Sequence, residues 1–417
     1  MFVKNKILVL GLLSVFLLSP KQSNAQICKP QNGYDVLTCA QAKSPDLLNA
    51  KAQEPVYVQY QKQSKQWFAP ELDGGLNYTR ADDEKGVEVE LALLQNIEMP
   101  SKRKARQDKA KAALNSSRLS TLEQEEKTTY EGLLLLNRLR QVSKEKEVVI
   151  EAIETFEKVL KKYRQSSVLS PEDEVSKDVF LLALKGYKIE IQQLVDEENT
   201  LKSALSYMLQ LEKNTKITSS WFLYAPKVWP MIKDVDVVKS YEIEQENLSL
   251  ELAQADYLEA KSSNASFNVG PYIATKPGDL GRLDTYGVKF SFPFPVNSNR
   301  NQIKGARFAV KAAEQNYEFR KMEAEKNLSL ALHQYELGKK TLKEISLGDL
   351  KNRHQNVERL FANGRVSTSL FIEAHQQMIE ATKMYNQYEL ETLKSLWSIY
   401  LVNKTLSSNF KEVAYAK

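Results

Sequence analysis

Residues 284–316, DTYGVKFSFPFPVNSNRNQIKGARFAVKAAEQN, decide the fold of this 417-residue chain because the spacing of their apolar side chains changes halfway. Apolar residues first stand at every second position, on one face of a strand: Val288, Phe290, Phe292, Phe294 and Val296. They then recur at intervals of three and four, as in a helix that packs on helices: Ile303, Ala306, Val310, Ala313 and Tyr317. The sequence therefore predicts an apolar strand that passes directly into a coiled-coil helix.

The first 25 residues have the parts of a secretory signal peptide. Two lysines, at 4 and 6, precede an apolar run over residues 7–18, and Ser23-Asn24-Ala25 forms a small-x-small cleavage site. The apolar run is shorter than the about 20 residues of a membrane-spanning helix. Ile27, rather than a small residue, precedes Cys28, which argues against lipidation. We expect a cleaved, non-lipidated, exported chain; the alternative is an N-terminal membrane anchor.

Charge and cysteine content limit the possible partners and the cellular compartment. The formal net charge is +5, and removal of a leader with three lysines leaves +2. Basic and acidic residues alternate along the predicted helices, so nothing indicates a nucleic-acid partner. The only cysteines, Cys28 and Cys39, could form one disulfide in an oxidising compartment, and two unpaired thiols are the alternative.

The first half of the mature chain, residues 26–261, alternates helix and strand. Residues 26–38 are predicted to be a loop, and a helix is expected from a cap at Ser44 to about Trp67, bent near Pro55. A β-hairpin follows at about 72–97, and the apolar face of its second strand carries Val87, Val89, Leu91 and Leu93. Residues 101–165 contain no proline and one glycine, which predicts a helix roughly 100 Å long.

The rest of the chain repeats this order. SSVLSP at 166–171 breaks the long helix, and a return helix is expected to about Lys213. An aromatic and proline-rich segment at 221–230 leads to a helix from about 235, which begins a second repeat. Residues 262–417 complete that repeat, with a β-hairpin at about 264–296 and a long helical hairpin at about 300–410 whose tip lies near 363–369.

Internal duplication supports this division. Residues 86–112 superpose on 287–313 without a gap, which pairs Gly86 with Gly287 at an offset of 201. The two helix breaks correspond as well, because Leu169-Ser170 pairs with Val366-Ser367 at an offset of 197. A repeat of this length is a strong sign of a duplicated architecture.

Four strands per chain cannot close a barrel, and lipid does not tolerate open strand edges. If the apolar faces contact lipid, several chains must pool their strands, each long enough to span a membrane, and three chains would give twelve. The opposite face suits a water-filled lumen and carries Glu88, Glu90, Lys289 and Ser291. We therefore expect a mainly α fold with a membrane β-barrel part. The alternative is a soluble sandwich whose hairpins pack on each other's apolar faces.

Three blocks of sequence resemble the TolC-type outer-membrane efflux proteins. Gln95-Asn96-Ile97-Glu98, with Lys102-Arg103 and Ala105-Arg106, is similar to the Q-x-I-E…G-K-R…R block of the CzcC-type heavy-metal branch. Phe292-Pro293-Phe294-Pro295 with Asn299-Arg300-Asn301-Gln302 is similar to the P-L-P…R-N-x-G block of that branch. Asn363-Gly364-Arg365-Val366-Ser367, with Ile372-Glu373-Ala374-His375-Gln376, resembles the helix-break motif of the wider family.

The resemblance implies a homotrimer in the outer membrane of a Gram-negative bacterium, with a twelve-stranded barrel and a helical tunnel through the periplasm. It would be a passive exit duct for an inner-membrane pump of the resistance-nodulation-division type. A periplasmic adaptor, or membrane fusion protein, would join the two. Heavy-metal cations are the cargo of the branch, and drugs, small organic molecules or secreted polypeptides are the alternatives.

The resemblance also assigns two sets of residues. The adaptor would dock at the helix breaks: Val168, Leu169, Ser170, Gly364, Arg365, Val366 and Ser367. A periplasmic gate would be formed by Phe361, Leu370 and Glu373, with three symmetry-related carboxylates around one axis. The alternatives are plain tight turns, core packing for Phe361 and a solvated carboxylate for Glu373.

No motif indicates an enzyme or a cofactor. The only histidines are His333, His354 and His375. The first two lie roughly 30 Å apart along the predicted helix, and His375 lies beyond the break, so no metal site is expected. Two other functional classes remain. A periplasmic adaptor should lack two duplicated units with lipid-facing strands, and an exported structural coiled coil needs no apolar strand face.

Overall fold

A computed structural model describes residues 28–81, 84–165, 169–212, 215–232, 235–263, 266–278, 281–292, 299–345 and 347–416. The predicted signal peptide, Val168 of the first tip and Phe294 lie outside these ranges. Within them, no helix combines the length and the apolar character that crossing a membrane requires.

The described residues form long helices and a small sheet. The helices are α1 (Gly33–Lys43), α2 (Pro45–Lys65), α3 (Pro100–Gln165), α4 (Pro171–Leu209), α5 (Tyr241–Lys261), α6 (Arg300–Glu344), α7 (Leu347–Ala362), α8 (Thr368–Val402) and α9 (Leu406–Val413). The strands are β1 (Glu71–Ala81), β2 (Glu84–Glu98), β3 (Leu223–Tyr224), β4 (Ser266–Gly278), β5 (Gly281–Ser291) and β6 (Tyr415–Ala416).

Helix α1 begins at Gly33 and corrects the second half of the loop predicted over residues 26–38, whereas residues 28–32 precede the helix. The Asn32 side chain caps this helix by accepting hydrogen bonds from the backbone N–H groups of Tyr34 and Asp35, at 2.9 and 3.0 Å. The helix packs closely on α3 at Gly132, where an added Cβ would lie 2.6 Å from the Leu37 side chain. Cys28 and Cys39 are joined by a disulfide, with Cα atoms 5.9 Å apart.

The two helical hairpins differ in continuity. Helix α3 runs for 66 residues without a break. The sequence predicted an equally continuous helix from about 300 to the second tip, and this is wrong: α6 ends at Glu344, Ile345 is extended, and α7 begins at Leu347. Ile345, Ser346 and Gly348 all have lower helix propensity than the Leu, Lys and Glu residues around them, which explains the interruption.

The main sheet has the order β1-β2-β4-β5, with antiparallel neighbours throughout. The two β-hairpins join where β2 pairs with β4, for example Val89 with Thr275. This pairing requires Gly270, because a Cβ there would lie 1.7 Å from the Leu93 carbonyl oxygen. Strand β5 ends at Ser291, before the predicted end at Val296, so Phe292 follows the strand.

The apolar face of this sheet is exposed. Residues opposite one another in the register share a face. The large side chains of this face range from 47% exposed at Leu93 to 76% at Leu76. They are Leu72, Leu76, Tyr78, Val87, Leu91, Leu93, Ile273, Tyr286, Val288 and Phe290, while Val89 is half-buried.

The polar face of the same sheet is its concave side. Lys289 of β5 forms an ion pair with Asp73 of β1, with Nζ and Oδ2 2.6 Å apart. In a flat sheet these two edge strands would lie roughly 14 Å apart, so the sheet must curl for the side chains to meet. Ala92 and Ala274 are buried in the concavity, and the Tyr272 hydroxyl donates a hydrogen bond to Glu90 at 3.2 Å.

The helices enclose two buried clusters. One surrounds Leu136 and Trp397, where α3 and α8 meet the segment that contains Trp221. The other lies near the helix breaks, around Phe156, Phe180 and Phe371. Helix α6 contributes Ala324, Leu328 and Tyr335 to the first cluster. Five of its other large apolar side chains are more than half exposed in the isolated chain: Phe308, Phe319, Met322, Leu330 and Leu337.

Candidate functional site

The first sequence block holds the junction between sheet and long helix. Strand β2 ends at Glu98 and α3 begins at Pro100. The Glu98 carboxylate is buried and forms an ion pair with Arg106, one turn and a half into α3. Arg106 lies over the Phe68 ring, and Arg103 lies over Trp67 at 4.4 Å from its centroid. These contacts fix the angle at which the sheet continues into the helix.

The same block also joins the two β-hairpins of the sheet. Lys102 Nζ donates to the Ser263 carbonyl oxygen at 3.1 Å and to the Ser266 hydroxyl at 3.0 Å. The Asn96 amide donates to the Asn268 side chain at 2.8 Å. The motif therefore couples β2 and α3 to the start of β4.

The tip between α3 and α4 ends in a capping box. The Ser170 hydroxyl accepts from the backbone N–H of Asp173 at 3.2 Å, and the Asp173 carboxylate accepts from the Ser170 backbone N–H at 3.3 Å. Pro171 takes the first helical position, where its missing N–H costs nothing. Leu169 is half-buried and Ser170 is exposed.

The tip between α7 and α8 is a Schellman turn. The backbone φ angle of Gly364 is +68°, and its N–H donates to the Phe361 carbonyl oxygen at 2.9 Å. The Arg365 N–H reaches back to the Leu360 carbonyl oxygen, also at 2.9 Å. No atom lies within 4 Å of a Cβ built at Gly364, so the left-handed backbone conformation is the reason for glycine here. The Ser367 hydroxyl then accepts from the Leu370 N–H at 3.4 Å and caps α8.

The structure brings the two predicted tips together. The Thr368 hydroxyl at the start of α8 donates to the Ser176 hydroxyl of α4 at 3.2 Å. Val366 is half-buried and packs against the aromatic cluster of the tip, whereas Arg365 is exposed. The predicted docking residues that the structure describes therefore lie at the same end of the helical part.

The three predicted gate residues lie in two environments. Phe361 stacks on Phe371 with ring centroids 3.9 Å apart, so the structure places it in core packing, one of the two roles left open for it. Leu370 is 61% exposed on the first turn of α8. Glu373 is exposed one turn later and accepts a hydrogen bond from the Gln377 amide at 2.7 Å.

Tyr187 of α4 lies near carboxylates of both α4 and α8. Burial, and then the charges of Glu190, Glu373 and Glu380, raise the pKa of Tyr187 to about 12. Four side chains of two helices are thus close enough to interact electrostatically near the tip. Glu190 also forms an ion pair with Lys383 of α8, with Oε1 and Nζ 2.5 Å apart, so this surface carries charges of both signs.

Sequence reasoning missed a buried polar network between α3 and α8. Arg140 forms an ion pair with Glu389, and both side chains are more than nine-tenths buried. The Gln141 amide donates to the same carboxylate at 2.9 Å, and the Asn386 amide donates to Glu145 at 2.8 Å. The available signal was the position of Arg140 and Gln141 between buried Leu139 and Val142, where a packed helix is normally apolar.

Two of the three histidines also meet, which corrects the expectation that they are separate. The rings of His354 on α7 and His375 on α8 lie 4.4 Å apart by their centroids. Both are buried, whereas His333 is exposed on α6. Burial lowers the pKa of His375 to about 4, so its imidazole is neutral at neutral pH. Glu358 completes a group whose possible ligand atoms all lie within 4.8 Å of one another.

Comparison with known proteins identifies solved structures of the same fold. No protein-family model and no curated protein matches the chain. The CmeC outer membrane channel of Campylobacter jejuni is similar with a TM-score of 0.72 and 14% identity, over 92% of this chain and 89% of that one. The open MtrE outer membrane channel of Neisseria gonorrhoeae is similar with a TM-score of 0.66 and 13% identity, over 90% of this chain and 89% of that one. The outer membrane protein VceC of Vibrio cholerae is similar with a TM-score of 0.68 and 11% identity, over 89% of this chain and 95% of that one.

These likenesses confirm one part of the predicted fold. The chain is mainly helical with long helices and a small antiparallel sheet, as in the solved outer-membrane channels.

Proposed function

We propose that this chain is one subunit of an outer-membrane exit duct in a tripartite efflux system. The observation that carries the proposal is the sheet, whose convex face is apolar and exposed and whose concave face is polar. This sheet continues within two residues into a helix of 66 residues. A lipid-facing wall that leads directly into a helical tube is what a channel across membrane and periplasm needs.

The edges of the sheet favour a trimer. Within the chain's sheet, β1 and β5 each have one paired side only. Lipid does not tolerate such edges, so β5 of one subunit would pair with β1 of the next. Three subunits would supply twelve strands, and strands of 11 to 15 residues are long enough to cross a membrane. The exposed apolar residues of the sheet would then face lipid.

The duct would be passive. Energy would come from an inner-membrane pump of the resistance-nodulation-division type, and a periplasmic adaptor would dock at the tips. The sequence blocks that resemble the CzcC-type branch favour heavy-metal cations as cargo, and drugs, small organic molecules or polypeptides are the alternatives. Export by a cleaved, non-lipidated leader is part of the same proposal.

Membrane fractionation tests the duct. We expect the chain in the outer-membrane fraction, because lipid-facing strands cannot be removed without detergent. We also expect a trimer that resists SDS until it is heated. The readout is the amount of chain left in the membrane after carbonate extraction. Complete release by salt or carbonate would contradict the duct and favour an adaptor or a structural coiled coil.

Glu373 is proposed to form the carboxylate ring of the periplasmic gate. We expect Glu373→Ala to reduce the preference of the pore for cations, because a ring of three carboxylates near one axis attracts cations and repels anions. Reversal potentials in planar bilayers under a salt gradient measure this preference. Glu391→Ala is the matched control: Glu391 is an exposed carboxylate of α8 that accepts from Gln387 at 3.0 Å, as Glu373 does from Gln377. Equal selectivity in both variants would remove Glu373 from the gate.

A further inference from the structure

We infer that His354, Glu358 and His375 form a binding site for a divalent transition-metal ion that ties α7 to α8 beside the docking tip. The inference is independent of cargo and of the proposed duct. It rests on the positions of three side chains from two helices, on the orientation of one imidazole and on an unpaired buried nitrogen.

The spacing of the ligands fits a small metal ion. The Nε2 atom of His375 lies 3.4 Å from Glu358 Oε1, and Nε2 of His354 lies 3.6 Å from the same oxygen. Around a tetrahedral Zn²⁺ with bonds of about 2.0–2.1 Å, neighbouring ligand atoms are about 3.3 Å apart. Only a small adjustment of the side chains is needed for the three atoms to share an ion. His354 and Glu358 are one turn apart on α7, so one helix face presents both.

The His375 imidazole is oriented as a ligand. Its Nδ1 lies 3.0 Å from the Phe371 carbonyl oxygen. Because a carbonyl oxygen only accepts hydrogen bonds, Nδ1 carries the proton, and Nε2 of the neutral ring has a free lone pair. A histidine that ligates a metal commonly has this arrangement, with its other nitrogen bonded to a carbonyl group.

The same nitrogen has no other partner. His375 Nε2 is buried and makes no hydrogen bond, and Nδ1 of His354 is also buried without one. Unpaired buried polar atoms are rare because they lose water without replacement. Plain aromatic packing against Phe156 and Phe371 explains the position of the His375 ring, but it does not satisfy Nε2.

The ligand set and the access route define the class of ion. Two imidazole nitrogens and one carboxylate suit Zn²⁺ and its neighbours Co²⁺, Ni²⁺ and Cu²⁺, whereas Mg²⁺ and Ca²⁺ prefer oxygen ligands. Glu358 keeps 29% of its side chain exposed and lines a surface cleft beside Lys158 of α3. An ion can therefore enter from solvent, and water can take the fourth position.

A bound ion would stiffen the second hairpin near its tip. His354 lies ten residues before Gly364, and His375 lies eleven residues after it. The ion would therefore link the two helices of the hairpin about three turns from the Schellman turn. Helix α7 is separated from α6 by the extended Ile345 and needs such a tie more than the continuous α3 does.

Calorimetric titration of the full chain tests the site. The full-length protein is purified in detergent without a histidine tag, in whatever oligomeric state it adopts, stripped with EDTA and titrated with ZnCl₂. We expect saturable binding of one Zn²⁺ per chain, no comparable binding of Ca²⁺ or Mg²⁺, and a higher thermal unfolding midpoint with Zn²⁺ present. In Glu358→Gln and His375→Gln, the Zn²⁺ affinity should fall at least about 10-fold. His333→Gln, which removes an exposed histidine of α6, should bind like the original chain.

Two results would overturn the inference. One is the absence of saturable Zn²⁺ binding, and the other is binding that survives unchanged in Glu358→Gln. Glu358→Gln alters a partly exposed side chain, so this variant remains informative if His375→Gln fails to fold.

Discussion

Replacement of Arg140 by methionine is expected to destabilise the chain by about 3–5 kcal/mol, because it leaves the Glu389 carboxylate buried without its counter-charge. The Glu389 side chain is 7% exposed, so water cannot replace the guanidinium. One hydrogen bond from the Gln141 amide would remain, and it carries no charge. The shift of the guanidinium chloride midpoint, followed by far-ultraviolet circular dichroism of the detergent-solubilised protein, measures the loss.

Two further variants separate this effect from a general response to mutation. Arg118→Ala breaks an ion pair with Glu54 in which the Arg118 side chain is 54% exposed, and it should cost at most about 1 kcal/mol. Combining Arg140→Met with Glu389→Leu should recover much of the lost stability, since both charges are then gone. If the double variant is as unstable as the single one, packing rather than the unpaired carboxylate explains the loss.

Replacement of Val366 by aspartate is expected to abolish crosslinking to the proposed adaptor while the proposed trimer persists. Val366 follows the Schellman turn at the end of the molecule and has part of its side chain exposed. A charge there would require desolvation in any apolar contact with a partner. Amine-reactive crosslinking in cells, read by the mobility of the adaptor on gels, measures the effect.

The inward side of Val366 makes a second variant necessary. Since this side chain also packs on the aromatic cluster, aspartate could disturb the tip itself. Arg365→Glu changes an exposed side chain of the same turn and should reduce crosslinking without affecting the cluster. Heat-resistant trimers in both variants establish that assembly is intact. Undiminished crosslinking in both would remove the docking assignment.

Local sequence patterns were sufficient for much of the fold. Alternating apolar residues placed the hairpins, and the absence of proline between residues 101 and 165 indicated one long helix. The Schellman turn at Gly364 was also predictable, because few residues adopt a positive φ. These features depend on short-range stereochemistry, which a single sequence displays.

Features that depend on tertiary contacts were predicted less well. Helix α1 lies in a stretch with Pro30, Asn32 and Gly33, and its stability comes from packing on Gly132 of α3, about 100 positions later. The sequence at the break before α7, Ile345-Ser346, contains residues of low helix propensity but no proline. The pairing of His354 with His375 required placing α7 against α8. Their nearly equal separations from Gly364, ten and eleven residues, were the available signal, since such residues face each other in a helical hairpin.

The exposed apolar side of α6 bears on how the protein comes to be folded. Phe308, Phe319 and Met322 are more than half exposed within the described chain, and α6 buries few of its residues. In the proposed trimer, neighbouring subunits would cover these side chains. A lone chain would therefore expose an apolar surface to the periplasm. Folding and association would then be one process, and the measured stability would depend on protein concentration. Chaperone supply and synthesis rate would limit the yield of the mature channel as much as the stability of any single subunit.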